Sequence, residues 1–112
     1  MTLRQKQSLF VQLIAHLIIF AYEQGYELTF GEAWRSLEEA KRLSLLGKGI
    51  SGSLHASRLA IDFNLFKNGR YLTNSSDFLE LGMFWESLNP ECAWGGHFND
   101  GNHFSIMHNG KR

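Results

Sequence analysis

Arg58-Leu59-Ala60-Ile61-Asp62-Phe63-Asn64-Leu65-Phe66-Lys67-Asn68-Gly69-Arg70-Tyr71-Leu72 is the stretch from which the fold is read. Apolar residues dominate from Arg58 to Phe66 and surround a single acid, Asp62, as in a strand with a packed face. Lys67-Asn68-Gly69-Arg70 then supplies an Asn-Gly turn, the pair best able to adopt the left-handed conformations a tight hairpin needs, and leads into Tyr71-Leu72. The segment predicts a β-hairpin. Upstream, Tyr26-Glu27-Leu28-Thr29-Phe30 alternates apolar and polar residues and predicts a strand with one buried face. Downstream, His103-Phe104-Ser105-Ile106-Met107-His108 predicts a last strand.

Helical periodicity fills the intervals. Within residues 9–22, Phe10, Leu13, Ile14, Leu17, Ile18 and Ala21 fall on one face, and Gly25 offers a stop. This run follows Arg4 and Lys6 in the manner of an export signal. Gln12 and His16 interrupt it, no small-x-small cleavage site precedes Glu23, and it is too short to span a bilayer, so a core helix is expected, with His16 on its flank. Ser36-Leu37-Glu38-Glu39 fits a capping box and predicts a second helix from about Leu37 to Leu46. Gly47-Lys48-Gly49-Ile50-Ser51-Gly52-Ser53 reads as a loop. Ser75-Ser76-Asp77 is expected to cap a third helix carrying Phe78, Leu81, Trp85 and Leu88 and ended by Asn89-Pro90. The fold class is therefore α+β, a small antiparallel sheet flanked by helices in a single domain spanning residues 1–112.

Composition narrows function mainly by exclusion. With 44% hydrophobic and 20% charged residues the chain can bury a modest core and lies outside the disordered class. Eleven basic residues balance eleven acidic ones, which removes the electrostatic footprint of a nucleic-acid binder. One cysteine allows no internal disulfide and no four-cysteine zinc site, so any metal must be held by His and carboxylate. Gly47-Lys48-Gly49-Ile50-Ser51-Gly52 matches the dinucleotide-binding glycine string in letters only, because it follows a helix and leads into a strand. Cys92, in a loop beside Pro90, lacks any local mark of an activated nucleophile. No G-x-S-x-G elbow and no H-E-x-x-H helix occurs.

The remaining chemistry centres on Asp62. A carboxylate in or beside a packed sheet is costly unless paired, hydrogen-bonded or metal-bound. A solvent-facing edge position, or pairing with Arg58 or Arg35, would satisfy it. His55 lies seven residues earlier, and His103 stands in Gly101-Asn102-His103-Phe104. Two imidazoles and one carboxylate make a full protein ligand set for a catalytic zinc that keeps one position open. Asp100, three residues before His103 in a glycine-bearing turn, is placed to act as general acid and base.

Ser53-Leu54-His55-Ala56-Ser57-Arg58-Leu59-Ala60-Ile61-Asp62 resembles the S-x-H-x(6)-D motif of the D-alanyl-D-alanine carboxypeptidase family of zinc peptidases, peptidase family M15. Trp94-Gly95-Gly96-His97-Phe98-Asn99-Asp100-Gly101-Asn102-His103-Phe104 is similar to the W-G-G-x-F-x-D-x-x-H-F ending of the family's phage endolysin branch. Tyr26 to Ser36 is similar to the strand that leads into an Arg-Ser or Arg-Thr pair in the same family. The three motifs stand in the family's order and extend over about Leu9 to His108. The resemblance implies the hedgehog and D-Ala-D-Ala peptidase type of fold, Zn2+ held by His55, Asp62 and His103, and a catalytic acid/base at Asp100. It also implies an oxyanion- and substrate-binding arginine at Arg35 and a substrate-facing serine at Ser53. Carboxypeptidase members often carry Glu where Asp100 stands and Gly where Arg58 stands; Asp at the base leans toward the endolysin-type endopeptidases.

The resemblance implies hydrolysis of an amide bond in the peptidoglycan stem peptide, with L-alanyl-D-glutamate as the expected bond. A D-alanyl-D-alanine carboxypeptidase or dipeptidase is the alternative within the class, and a non-catalytic zinc-stabilised binding domain the alternative outside it. A monomer is expected, without nucleic-acid partner or membrane insertion, made in the host bacterial cytoplasm and released to the wall by a separate holin-type pore. His97 and His108 are read as neighbours of the site rather than ligands, since three ligands suffice. Trp34, Trp85 and Trp94 are read as core or pocket walls, and Arg35 has Glu32 and Glu39 as ion-pair alternatives.

Overall fold

The computed structural model describes residues 1–46 and 54–112. Three α-helices and a five-stranded antiparallel sheet make up the described residues, an α+β architecture. The elements run α1 (Leu3–Glu23), β1 (Tyr26–Phe30), α2 (Leu37–Leu45), β2 (Ala60–Lys67), β3 (Arg70–Leu72), α3 (Leu79–Leu88), β4 (Cys92–Trp94) and β5 (His103–Ile106). Residues 47–53, expected above to be a loop, lie outside the described residues, and so does the substrate-facing Ser53.

Helix α1 begins six residues before the apolar run, because Thr2 and Gln5 form a reciprocal capping box over the first turn. Phe10, Leu13, Ile14, Leu17 and Ala21 are its buried face, and Gly25 ends it at φ +87°. Ser36 caps α2 by accepting from the Glu39 amide at 3.0 Å. The turn between β2 and β3 has both Asn68 and Gly69 at positive φ, as an Asn-Gly hairpin requires. Before α3 a 3-10 turn intervenes at Ser75–Phe78; of the expected Ser75-Ser76-Asp77 cap, Asp77 takes part by accepting from the Asn74 amide at 3.0 Å, while the N-cap position itself is Asn74. Asn74 wins because its backbone is extended while Ser75 to Phe78 already lie inside the turn.

Strand β2 organises the sheet. Along one edge it pairs with β1 over Phe63–Lys67; along the other it pairs with β5 over Ala60–Asp62 and with β3 over Leu65–Lys67. Ile61, Phe63 and Leu65 point into the core, while Asp62, Asn64 and Phe66 are less buried and share the opposite face. The core closes around Trp85, which has no exposed surface, stacks edge-on with Phe10 and Phe104, and donates from Nε1 to the carbonyls of Ala93 and Ser105. Cys92 therefore lies in a buried strand, paired with Ile106, and not in a loop. Three residues are too few for β4 to carry a periodicity of its own.

Candidate metal centre

Asp62 and His103 reach one another through strand register. Asp62 directs its own backbone away from β5, its amide to the Glu32 carbonyl and its carbonyl to the Gly31 amide, each at 2.8 Å. Asp62 and His103 are thus opposite one another as a non-hydrogen-bonded antiparallel pair, the kind in which side chains stand closest. His55 arrives from the turn before β2, where the Ser57 and Leu59 amides donate to the Leu54 carbonyl and the Arg58 amide donates to the His55 carbonyl. Leu54 anchors this turn in the core, and Arg58 closes it in the left-handed region at φ +58°. The chain reverses there, which returns His55 over Asp62.

His55 Nε2 and His103 Nδ1 each lie 3.3 Å from the same oxygen, Asp62 Oδ1. The imidazole rings are 5.2 Å apart at 72°, and the three ligand atoms lie within 4.8 Å of one another. Both histidines are buried, at 3% and 7% exposure. Asp62 Oδ1 is buried and makes no hydrogen bond of good geometry, although two ring nitrogens approach it. Zinc bonds of 2.0–2.1 Å in a tetrahedron put neighbouring ligand atoms about 3.3 Å apart, which matches the observed contacts. His55, Asp62 and His103 can therefore hold a metal ion. Burial pushes the Asp62 carboxyl up, but its contacts with His103 and His55 together outweigh burial and hold it down at about 2. The group is a full anion at neutral pH, as a metal ligand must be.

Asp100 sits at the end of a 3-10 turn over Gly95–Phe98, after Asn99 in the left-handed region. Its amide donates to the Gly95 carbonyl at 2.8 Å, and its carbonyl accepts from the His103 amide at 3.1 Å. Gly95 permits this packing, since a Cβ there would meet the Asp100 carbonyl oxygen at 2.1 Å and His103 Cβ at 2.8 Å. Asp100 is open to solvent on one side yet crowded by protein on the other. That crowding raises its carboxyl from its ordinary value; Asp62 adds to the rise, and His103, His55 and Arg35 oppose it. Arg35 is thus within electrostatic reach of the site. Its amide donates to the His55 carbonyl at 3.2 Å, and its side chain, 12% exposed, is ion-paired through Nε with Glu32.

The other sequence candidates separate from this cluster. His97 pairs with Glu86 at 2.8 Å, and His108 lies beside Lys6 Nζ at 3.4 Å. His16 is exposed on α1. Trp85 is core; Trp94 is buried and donates from Nε1 to the Gly101 carbonyl; Trp34 is 52% exposed, with the Arg58 guanidinium 5.1 Å above its ring. Burial, reinforced by Glu86, pushes the Cys92 thiol up to about 12, which removes it as a nucleophile. Asn64 escaped sequence reading, and Glu32, named there only as an ion-pair alternative for Arg35, does form that pair and also holds the strand of Asp62. Asn64 shares the face of Asp62, a position that strict alternation along β2 would have identified. No family model matches the chain, and no curated protein is similar enough to it to count as a match.

Proposed function

We propose that the protein is a zinc-dependent peptidoglycan peptidase of the endolysin type, hydrolysing an amide bond of the stem peptide, with L-alanyl-D-glutamate as the bond. The observation that carries this reading is the convergence of His55 Nε2 and His103 Nδ1 on Asp62 Oδ1, with an acid of raised pKa and an arginine beside it. The three motifs and their order, set out above, supply the substrate class.

His55, Asp62 and His103 would hold the ion, two neutral imidazoles and one anion, which leave a position for water or substrate. Zinc bound there supplies Lewis acidity and brings the pKa of a water molecule near 7. Asp100 holds the transferred proton on its carboxylate and returns it to the leaving amine; a raised pKa shortens the gap to neutral pH and suits both halves of that task. Arg35 donates to the carbonyl oxygen as negative charge develops, and Glu32 limits the orientations its guanidinium can take. Burial of the two histidines keeps bulk water from competing for their ring nitrogens.

A carboxylate at Asp100, beside the three ligands and outside their set, favours this reading over a zinc-stabilised binding domain. Digestion of purified sacculi with and without chelator, with mass identification of the new termini, tests the proposal. Chelator-sensitive release of fragments ending in L-alanine and beginning with D-glutamate is the expected result. D-alanine release would shift the assignment to a carboxypeptidase, and stoichiometric zinc without any new termini would remove catalysis from it.

A further inference from the structure

On β2, the edge taken by β5 at Ala60–Asp62 and by β3 at Leu65–Lys67 is bridged at Phe63 only by its amide donating to the Asn102 carbonyl at 3.0 Å, and no strand pairs with it at Asn64. A cavity of about 180 Å³ opens at this gap, between the end of β3 and the Asn99–Asn102 loop. Six uncharged polar residues border it: Asn64, Tyr71, Thr73, Ser75, Asn99 and Asn102. Phe63 and Phe78, both almost fully buried, lie beneath its floor. Its one carboxylate is Asp100, whose carbonyl accepts from the His103 amide at 3.1 Å, so the cavity adjoins the metal centre through that residue.

Three of these polar groups, Asn64, Tyr71 and Ser75, are held before any ligand arrives. The Asn64 side-chain amide donates to Thr29 Oγ1 at 3.2 Å and lies 3.4 Å from the Phe30 carbonyl, while the Tyr71 hydroxyl stands 3.5 Å from Asn64 Oδ1. Tyr71 is stacked on Phe66 at 5.1 Å, and Ser75 Oγ accepts from the Gly101 amide at 3.0 Å. An anionic ligand would find no cation in this wall and would be repelled by Asp100. A cationic one would find a single carboxylate among six uncharged polar side chains, with no second anion to bind its charge. Hydroxyl and carboxamide side chains both donate and accept, the pattern that matches a neutral ligand bearing hydroxyl and amide groups.

We infer that this cavity is a subsite for a neutral N-acetylated sugar residue, so that the glycan end of the substrate lies on the Asp100 side of the metal centre. The assignment rests on the peptidoglycan reading for its substrate class. It does not need turnover to be tested.

Tri-N-acetylglucosamine titrated into the zinc-loaded protein, followed by amide NMR shifts, is the experiment. Saturable shifts at Asn64, Tyr71, Thr73 and Asn102 are expected, weakened at least 10-fold by Asn64→Leu and by the shape-preserving Thr73→Val, which removes only a hydroxyl. No shifts at these residues, equal affinity in a correctly folded Thr73→Val, or tighter binding of the cationic deacetylated trimer would overturn the inference. Sugar binding without cleavage of sacculi would support the subsite and sink the peptidase; cleavage of sacculi with no sugar binding at the cavity would do the reverse.

Discussion

Asp62 and His103 stand opposite each other on β2 and β5 as a non-hydrogen-bonded pair, with Asp62 Oδ1 3.3 Å from His103 Nδ1 and equally far from His55 Nε2. Three buried or half-buried polar groups converge where each would otherwise pay for desolvation. One zinc ion per chain is the expected stoichiometry. At free zinc 100 times Kd the ion adds about 2.7 kcal/mol to stability, roughly 10 °C in Tm for a domain of this size. Chelator should reverse the gain in a thermal melt. His55→Ala and Asp62→Ala should show no zinc-dependent shift in Tm.

Asp100 borders the site without belonging to the ligand set. Asp100→Asn should bind zinc as the wild type does and lose about 10²- to 10⁴-fold in kcat on muropeptide, the usual range for a general acid/base. Zinc stoichiometry and initial rates measured on the same preparation check it. Near-full activity would show that the proton is carried elsewhere.

Glu32 is ion-paired to Arg35 while its carbonyl accepts from the Asp62 amide. Glu32→Gln keeps the backbone contact and weakens the hold on the guanidinium. It should lower kcat/KM on the order of 10-fold with zinc affinity unchanged, a loss of orientation rather than of the ion. Arg35→Lys should fall further, because a point charge cannot reproduce the guanidinium fork. Equal rates in Glu32→Gln and wild type would make the ion pair a matter of stability alone.

Gly95 leaves room for the Asp100 carbonyl oxygen, which a Cβ would approach to 2.1 Å. Gly95→Ala should push the Asn99–Asn102 loop from His103 and weaken zinc binding about 10- to 100-fold, as disruption around a ligand commonly does. Competition titration with a chromogenic chelator reads this directly.

Cys92 is buried in β4, and its thiol is pushed up to about 12. At pH 8 the thiolate fraction is then about 10⁻⁴, so alkylation of the native protein should be slow and should become fast on denaturation. Iodoacetamide labelling followed by intact mass checks it. Because the raised pKa disfavours ionisation in the folded state, the thiol costs nothing below about pH 8; above that, ionisation of the unfolded chain lowers stability progressively.

Much of this protein was determined locally. The Asn68-Gly69 turn, the apolar stripe from Phe10 to Ala21 and the Ser36 cap each act within a few residues, so period and turn chemistry were enough to place the hairpin, α1 and α2. The ligand types and the seven-residue spacing of His55 and Asp62 were likewise on the surface of the sequence. Tertiary structure decided the rest, for physical reasons that act across long separations in the chain. His103 was a candidate on sequence as well, but only the pairing of β2 with β5 brings it opposite Asp62, since register determines which side chain faces that carboxylate. Packing of Trp85 against Phe10 and Phe104 carried Cys92 into a buried strand too short to show a period. Glu32 and the Asn64 cavity depend on which edge of β2 is covered and which is left open, and no local propensity encodes that.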